Sequence, residues 1–330
     1  SVSIWPSSTI SILQALMNPI ASLVLIRMNG GTAMMRILGI VGVQVCICVP
    51  IIVFQFCKGK EFFSKEYWGY ALRIGIPIVP HYLSGIILNQ GDRIMIDKMV
   101  GKTEVALYGL AYSIGMLVQL FISGMNSALT PWMYSKIKKG DIRSMRKVLQ
   151  LLSIVVVGIA VALMLISPEL VLIFGSPKYR EAVYVIPPVA ASVFFIFIYN
   201  ILSMPQFYYE KTQFLMAASM AAAGANVVLN FIFIRLFGYI AAGYTTLACY
   251  MLYSVGHYIV SKRILVNEGI QENLMNPGFL LACSVFLIGA SIICNLIFPY
   301  RILRYAILLA SAGLVFWKKE LLLKTMADIR

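Results

Sequence analysis

The sequence predicts an all-α, polytopic transmembrane helical bundle, and three observations carry that prediction. Ten apolar stretches, most of them about twenty residues long, fill nearly all of the 330-residue chain, and a helix needs roughly twenty apolar residues to cross the hydrocarbon core. Hydrophobic residues make up 60% of the chain and charged residues only 12%, with a mean hydropathy of +0.86; soluble domains are about a quarter charged. The loops are short, about fifteen residues at most, too short for a folded soluble domain. Lipid offers no hydrogen bonds, so each spanning backbone group must be paired within its own helix.

The spans are expected at 7–26, 34–56, 71–90, 105–129, 148–166, 182–203, 213–234, 239–260, 277–297 and 301–317. The first two are joined by a turn at Asn29-Gly30. The third carries Pro77 and Pro80, which remove backbone donors and kink or break a helix. Such a break is tolerated where neighbouring helices or water take up the freed carbonyls, so this span is expected to face a cavity or the bundle interior. Pro131 after the fourth span, and Pro187 and Pro188 in the sixth, mark further breaks. Tyr208 and Tyr209 follow the sixth span as interfacial anchors, and Trp317 plays that part at the end of the short tenth. In the seventh, the run Ala217 to Ala225 is a small-residue surface that lets helices approach closely.

The net charge is +14. In a membrane chain this reads as topology and not as nucleic-acid binding, because basic residues collect in cytoplasmic loops. Ten spans put both termini on one side. That side holds 17 Lys and Arg against 10 on the other, which places both ends in the cytoplasm. Its strongest element is the loop Tyr134 to Lys147, with six basic residues and one acid, Asp141. The six cysteines form no CxxC pair and lie in or beside apolar stretches, as small packing residues do. The two histidines are far apart in sequence, which argues against a metal centre. No cofactor is implied.

Leu25-Ile26-Arg27-Met28-Asn29-Gly30 and Phe233-Ile234-Arg235-Leu236-Phe237-Gly238 are similar at an offset of 208 residues. If this is a repeat, spans one and two match spans seven and eight. The partners of spans three to six would then precede Ser1, so the chain is expected to lack an N-terminal piece. Repeated halves flanking a binding site are a common transporter plan.

The third span and its exit hold the most polar groups: Arg73, His81, Asn89, Gln90, Asp92 and Arg93. His81 lies near mid-span and should point inward, as an interhelical hydrogen-bond partner or as a ligand group. Asp92 and Arg93 read either as an interfacial charge pair marking the helix end, or with Arg93 giving positive potential at the outer mouth of a cavity. Arg73 is the counterpart at the inner mouth. A guanidinium suits phosphate because its planar fork donates two hydrogen bonds. Gln119, Asn126, Asn200, Asn226 and Asn230 are expected as interhelical hydrogen-bond partners. None of the thirteen acids is expected at the centre of a span, where a carboxylate would serve an ion relay; if the protein is ion-coupled, Asp92 or a histidine serves. No GxxxxGK, GxSxG or HExxH motif occurs.

The stretch Tyr70-Ala-Leu-Arg-Ile-Gly-Ile-Pro-Ile-Val-Pro-His-Tyr-Leu-Ser84, with Ile87-Leu-Asn-Gln-Gly-Asp-Arg-Ile-Met-Ile96, resembles the seventh transmembrane segment of Wzx-type bacterial polysaccharide flippases. Tyr108 to Gly115 and Asn126 to Trp132 resemble that family's next helix. Such proteins belong to the multidrug/oligosaccharidyl-lipid/polysaccharide exporter (MATE-like) superfamily, typically with twelve or fourteen spans in two lobes. The resemblance implies residues 1–60 as the last two helices of a truncated N-terminal lobe, 61–262 as the C-terminal six-helix lobe, and 263–330 as two additional helices. It also implies a transporter, not an enzyme, which flips undecaprenyl-pyrophosphate-linked oligosaccharide across the bacterial inner membrane by alternating access. Arg73, His81, Asn89, Gln90, Asp92 and Arg93 are then the substrate-binding candidates, with the lipid bilayer and a coupling cation as further partners. Two alternatives stand beside it. A cation-coupled multidrug antiporter asks for a mid-span carboxylate, and a polysaccharide polymerase or ligase asks for a large external loop.

Overall fold

The computed structural model describes residues 4–28, 33–59 and 63–317, with the side chains of 4–8, 11, 33, 312 and 314–317 left aside. The Asn29-Gly30 turn and the anchoring role of Trp317 lie outside the described residues. The helices are α1 (Ile4–Met28), α2 (Ala33–Gly59), α3 (Lys65–Met99), α4 (Lys102–Gly115), α5 (Leu117–Lys138), α6 (Ile142–Phe174), α7 (Ile186–Tyr208), α8 (Thr212–Phe237), α9 (Ile240–Asn267), α10 (Pro277–Ile297) and α11 (Arg301–Trp317). A 3₁₀ segment, Pro177–Val185, leads into α7. All ten expected stretches are helical, and the described residues contain no strand. Seven helical stretches among the described residues are long and apolar enough to cross a membrane. The all-α polytopic bundle therefore stands.

Local chemistry sets the ends. Asp141 caps α6 by accepting from the Ser144 amide at 3.3 Å, and Asn276 caps α10 by accepting from Gly278 at 2.9 Å; each satisfies an amide that the first helical turn leaves without a partner. Pro187 and Pro188 do not break a span. They occupy the first positions of α7, where a missing amide costs no hydrogen bond.

Two expectations about breaks are corrected. α3 runs unbroken through Pro77 and Pro80 to Met99, so Asp92 and Arg93 lie inside the helix and do not mark its end. The Ser84 hydroxyl bonds back to the Pro80 carbonyl at 2.7 Å. The break expected at Pro131 is absent too, since α5 runs through it to Lys138; the fourth expected span lies in one apolar helical stretch, Lys102–Lys138, in which α4 and α5 meet at Met116.

The chain forms two compact units, residues 1–72 and 73–330. In the first, α1 and α2 lie antiparallel, as the pairs Gln14–Cys48 and Ser22–Arg36 show. Gly39 makes this approach possible. A Cβ there would stand 2.6 Å from the Ser22 Cα, so any side chain would push the two backbones apart.

In the second unit α7 is the central post, buried along nearly its whole length, with α4, α5, α6, α9 and α10 around it. Gly115 on α4 and Gly243 on α9 let their helices close on it; a Cβ would meet Val189 at 2.6 Å or Pro188 at 3.1 Å. α11 is stapled to α6 by a buried fork. Arg304, 3% exposed, donates to Glu169 through Nη1 at 2.8 Å and Nη2 at 2.9 Å, and to the Leu165 carbonyl at 2.6 Å. Arg146 ties the loop after α9 to α6 by donating to the Asn273 carbonyl at 2.7 Å. The 73–99 part of α3 joins this unit through long polar side chains, and the space they bridge is the site described next.

Candidate functional site

A cavity of about 750 Å³ opens among α3, α4, α7 and α9. α3 contributes His81, Asn89, Gln90 and Arg93 to its wall, α4 contributes Tyr112 and Ser113, α7 Tyr199, Asn200 and Ser203, and α9 Tyr250 and Tyr253. Among the described residues no carboxylate lines it, and Arg93 is the one permanently charged lining residue. Aromatic rings form much of the wall: Tyr199 stacks on Tyr250 within 9° at 6.3 Å and tilts against Tyr253 at 4.5 Å. A smaller pocket of about 280 Å³ lies between α7, α9 and α10, and none of its described lining residues is charged.

Each polar group of the wall is placed by a neighbour. Arg93 donates to Gln90 at 2.6 Å and lies 5.1 Å from the centre of the Tyr112 ring; its Nε is buried without a protein partner. Asn89 accepts from Tyr112 at 2.7 Å and Tyr250 at 3.4 Å, and its amide donates to the Gly85 carbonyl. Through Nδ1, His81 meets the Tyr253 hydroxyl at 3.1 Å. The geometry presents one fixed cation, one imidazole and several amides and hydroxyls between aromatic faces, a set suited to an anionic, hydroxyl-rich ligand.

Of the six residues expected at the site, His81, Asn89, Gln90 and Arg93 come together here. Arg73 is exposed and lies outside the lining. Asp92 lies behind the wall, fully buried. It accepts from Asn230 at 2.6 Å, from Thr246 at 2.7 Å and from Tyr108. Asn230 is held in turn by Asn226 and Thr245. One carboxylate thus joins α3 to α4, α8 and α9, and among the described residues it forms no ion pair. The expected interfacial pair with Arg93 is therefore absent.

The tyrosines of the wall were not anticipated, although a signal existed. Thr246, Tyr250, Tyr253 and His257 recur on α9 at steps of four, three and four, a single helical face. His257 is fully buried on that face, with its Nδ1 2.7 Å from the Gln206 amide and its ring 4.5 Å from that of Tyr253. The two histidines, distant in sequence, thus flank one tyrosine. Among the described residues no group of three or more His, Cys, Asp or Glu gathers as metal ligands do.

Comparison with known proteins gives this architecture a context. A family model described as "Polysaccharide biosynthesis protein" matches residues 4–138, and one described as "MatE" matches residues 77–232. A Haemophilus influenzae protein named for the Lsg locus is 28% identical over 172 residues, 49% of this chain and 41% of that relative. An uncharacterized membrane protein of the same organism is 29% identical over 191 residues, 54% of this chain and 46% of that relative. The chain spans less than half the length of the curated relatives it matches. No solved structure matches it. The two family models overlap and together reach from residue 4 to residue 232, so the chain is similar to a polysaccharide-biosynthesis family over its first part and to the MatE family over its middle.

Proposed function

We propose that this chain carries out part or all of the transport of lipid-linked oligosaccharide repeat units across the bacterial inner membrane. The headgroup crosses through the protein while the polyprenyl tail stays in lipid. The observation that carries the reading is the cavity wall: among the described residues it holds one arginine, one histidine, amides and tyrosines, with no carboxylate. A sugar offers hydroxyls to the amides and apolar ring faces to the tyrosines, and a pyrophosphate offers negative charge to Arg93. Alternating access between two lobes would expose the cavity to each side in turn. Residues 61–262 are the C-terminal lobe in this reading, and both ends of the chain are cytoplasmic.

A specific observation adds ion coupling. A fully buried carboxylate without a cationic partner is an element of proton and cation relays in membrane bundles, and Asp92 is such a group. We place the coupling site there. The same carboxylate is what a cation-coupled drug antiporter requires. The lining without acids favours an anionic substrate over the cationic ligands such a carrier would take.

The test is direct. The full chain is reconstituted in vesicles with a fluorescent polyprenyl-pyrophosphoryl sugar in one leaflet, and its arrival in the other is followed. Facilitated movement of this lipid, with none of a cationic dye, supports the reading. Movement of the dye alone overturns it.

A further inference from the structure

We propose that His81 takes up a proton when the headgroup binds, so that the cavity loads an anionic headgroup and a proton together. This rests on the reading that the cavity receives a pyrophosphate-linked sugar.

A pyrophosphate diester carries two negative charges near neutral pH. The wall supplies one fixed positive charge, Arg93. Among the described lining residues, His81 is the one side chain that can gain a second by ordinary titration. It stands twelve residues from Arg93 on the same helix, about 18 Å along the axis. Both line the same cavity, so a dianion lodged between them lies about 9 Å from each, about one Debye length at physiological salt.

The surroundings of His81 suit both of its states. Its Nδ1 meets the Tyr253 hydroxyl at 3.1 Å. A hydroxyl both donates and accepts, so Tyr253 donates to the neutral ring and accepts from the charged one without moving. Nε2 is left to meet the occupant. The Tyr82 ring lies 5.5 Å away on α3 and the Phe207 ring 6.4 Å away on α7.

The remaining ionisable groups near His81 have other tasks or are neutral. Tyr199 on α7 and Tyr112 on α4 are neutral phenols. On α9, His257 is enclosed and held by Gln206, outside the wall. Asp92 lies behind it, engaged by Tyr108 on α4, Asn230 on α8 and Thr246 on α9. A bound dianion brings negative charge into the cavity and so favours the imidazolium.

The probe is farnesyl-pyrophosphoryl-N-acetylglucosamine, a diester whose own charges do not titrate in this range. Its binding to the purified full chain is measured by calorimetry between pH 6 and pH 8, in two buffers of different ionisation heat. The expected result is uptake of roughly one proton per headgroup. The dissociation constant should rise about tenfold across the range, within the usual spread for coupled sites. His81→Gln abolishes both effects, whereas His257→Gln keeps them and separates this site from the enclosed histidine. If His81→Gln does not fold, the proton count of the unaltered protein decides alone. Tight binding without proton uptake overturns the inference and leaves the transport reading standing. Uptake that survives in folded His81→Gln assigns the proton elsewhere and also overturns it. If the folded, unaltered chain does not bind the probe at pH 6, the headgroup reading falls and this inference with it.

Discussion

Replacing Asp92 tests the load on the one carboxylate that ties α3 to three other helices. In Asp92→Ala, the donors of Tyr108, Asn230 and Thr246 lose their acceptor in a fully buried place. A stranded buried donor costs about 1–3 kcal/mol, and hydrogen bonds between membrane helices average about 0.6 kcal/mol with a maximum near 1.7. Three together set a loss of roughly 2–5 kcal/mol. Asp92→Asn is different. Its carbonyl can still accept from Asn230, and its new amide can donate to the Tyr108 and Thr246 hydroxyls, which accept as readily as they donate. The cost is then about 1 kcal/mol or less. In thermal unfolding of the detergent-solubilised chain, Asn should unfold within a few degrees of the unaltered protein and Ala on the order of 10 °C lower. Under the coupling proposal Asn also removes ion-driven transport, so folding and function separate in one variant. Equal losses for Asn and Ala would refute the reasoning, since the network would then depend on the charge and not on the pattern of donors.

Three further outcomes follow from the same geometry. Arg93→Ala should lower transport at least about tenfold, a loss of about 1.4 kcal/mol, with Arg93→Lys intermediate because the planar fork is lost while the charge is kept; Arg73→Ala, outside the wall, should change it by less than about twofold, as surface changes are usually within 0.5 kcal/mol. Glu169→Ala leaves the Arg304 guanidinium buried without its fork and should destabilise by about 3–5 kcal/mol, read as a lower unfolding temperature, with the additional change Arg304→Leu restoring part of it. The hydrogen bond from Lys136 to the half-buried Asp141, followed by the Ser144 amide, holds the Asp141 carboxyl below its ordinary value. Its contribution to stability is therefore present above the carboxylate range and is lost as pH falls through the depressed value, so the acid limb of the unfolding temperature should flatten in Asp141→Asn.

How far the sequence reaches can be seen residue by residue. Pro187 and Pro188 are visible as punctuation, yet only the surrounding backbone tells a helix start from a helix break. The two prolines of α3 resemble a break and are not one: the helix runs on past them to Met99, and the Ser84 hydroxyl bonds to the Pro80 carbonyl. Met116 shows the reverse: nothing in its side chain announces the parting of α4 from α5. His81, Asn89, Gln90 and Arg93 were legible because polar groups in an apolar span are costly and therefore placed with purpose. Tyr112, Tyr199 and Tyr250 were not, because tyrosine is equally at home in a core, at an interface or in a cavity wall.

By itself, the sequence determined that this protein is a membrane-spanning bundle of helices and that its third span is chemically unusual. Both follow from local quantities, apolar length and the cost of polar groups in lipid, which need no knowledge of neighbours. Only the tertiary structure decided that Asp92 is an internal tie while Arg93, one residue later, faces a cavity. Successive residues on a helix point about 100° apart, and which direction is interior depends on helices more than a hundred residues away. For the same reason His81 and His257, which the sequence holds apart, come to share one tyrosine.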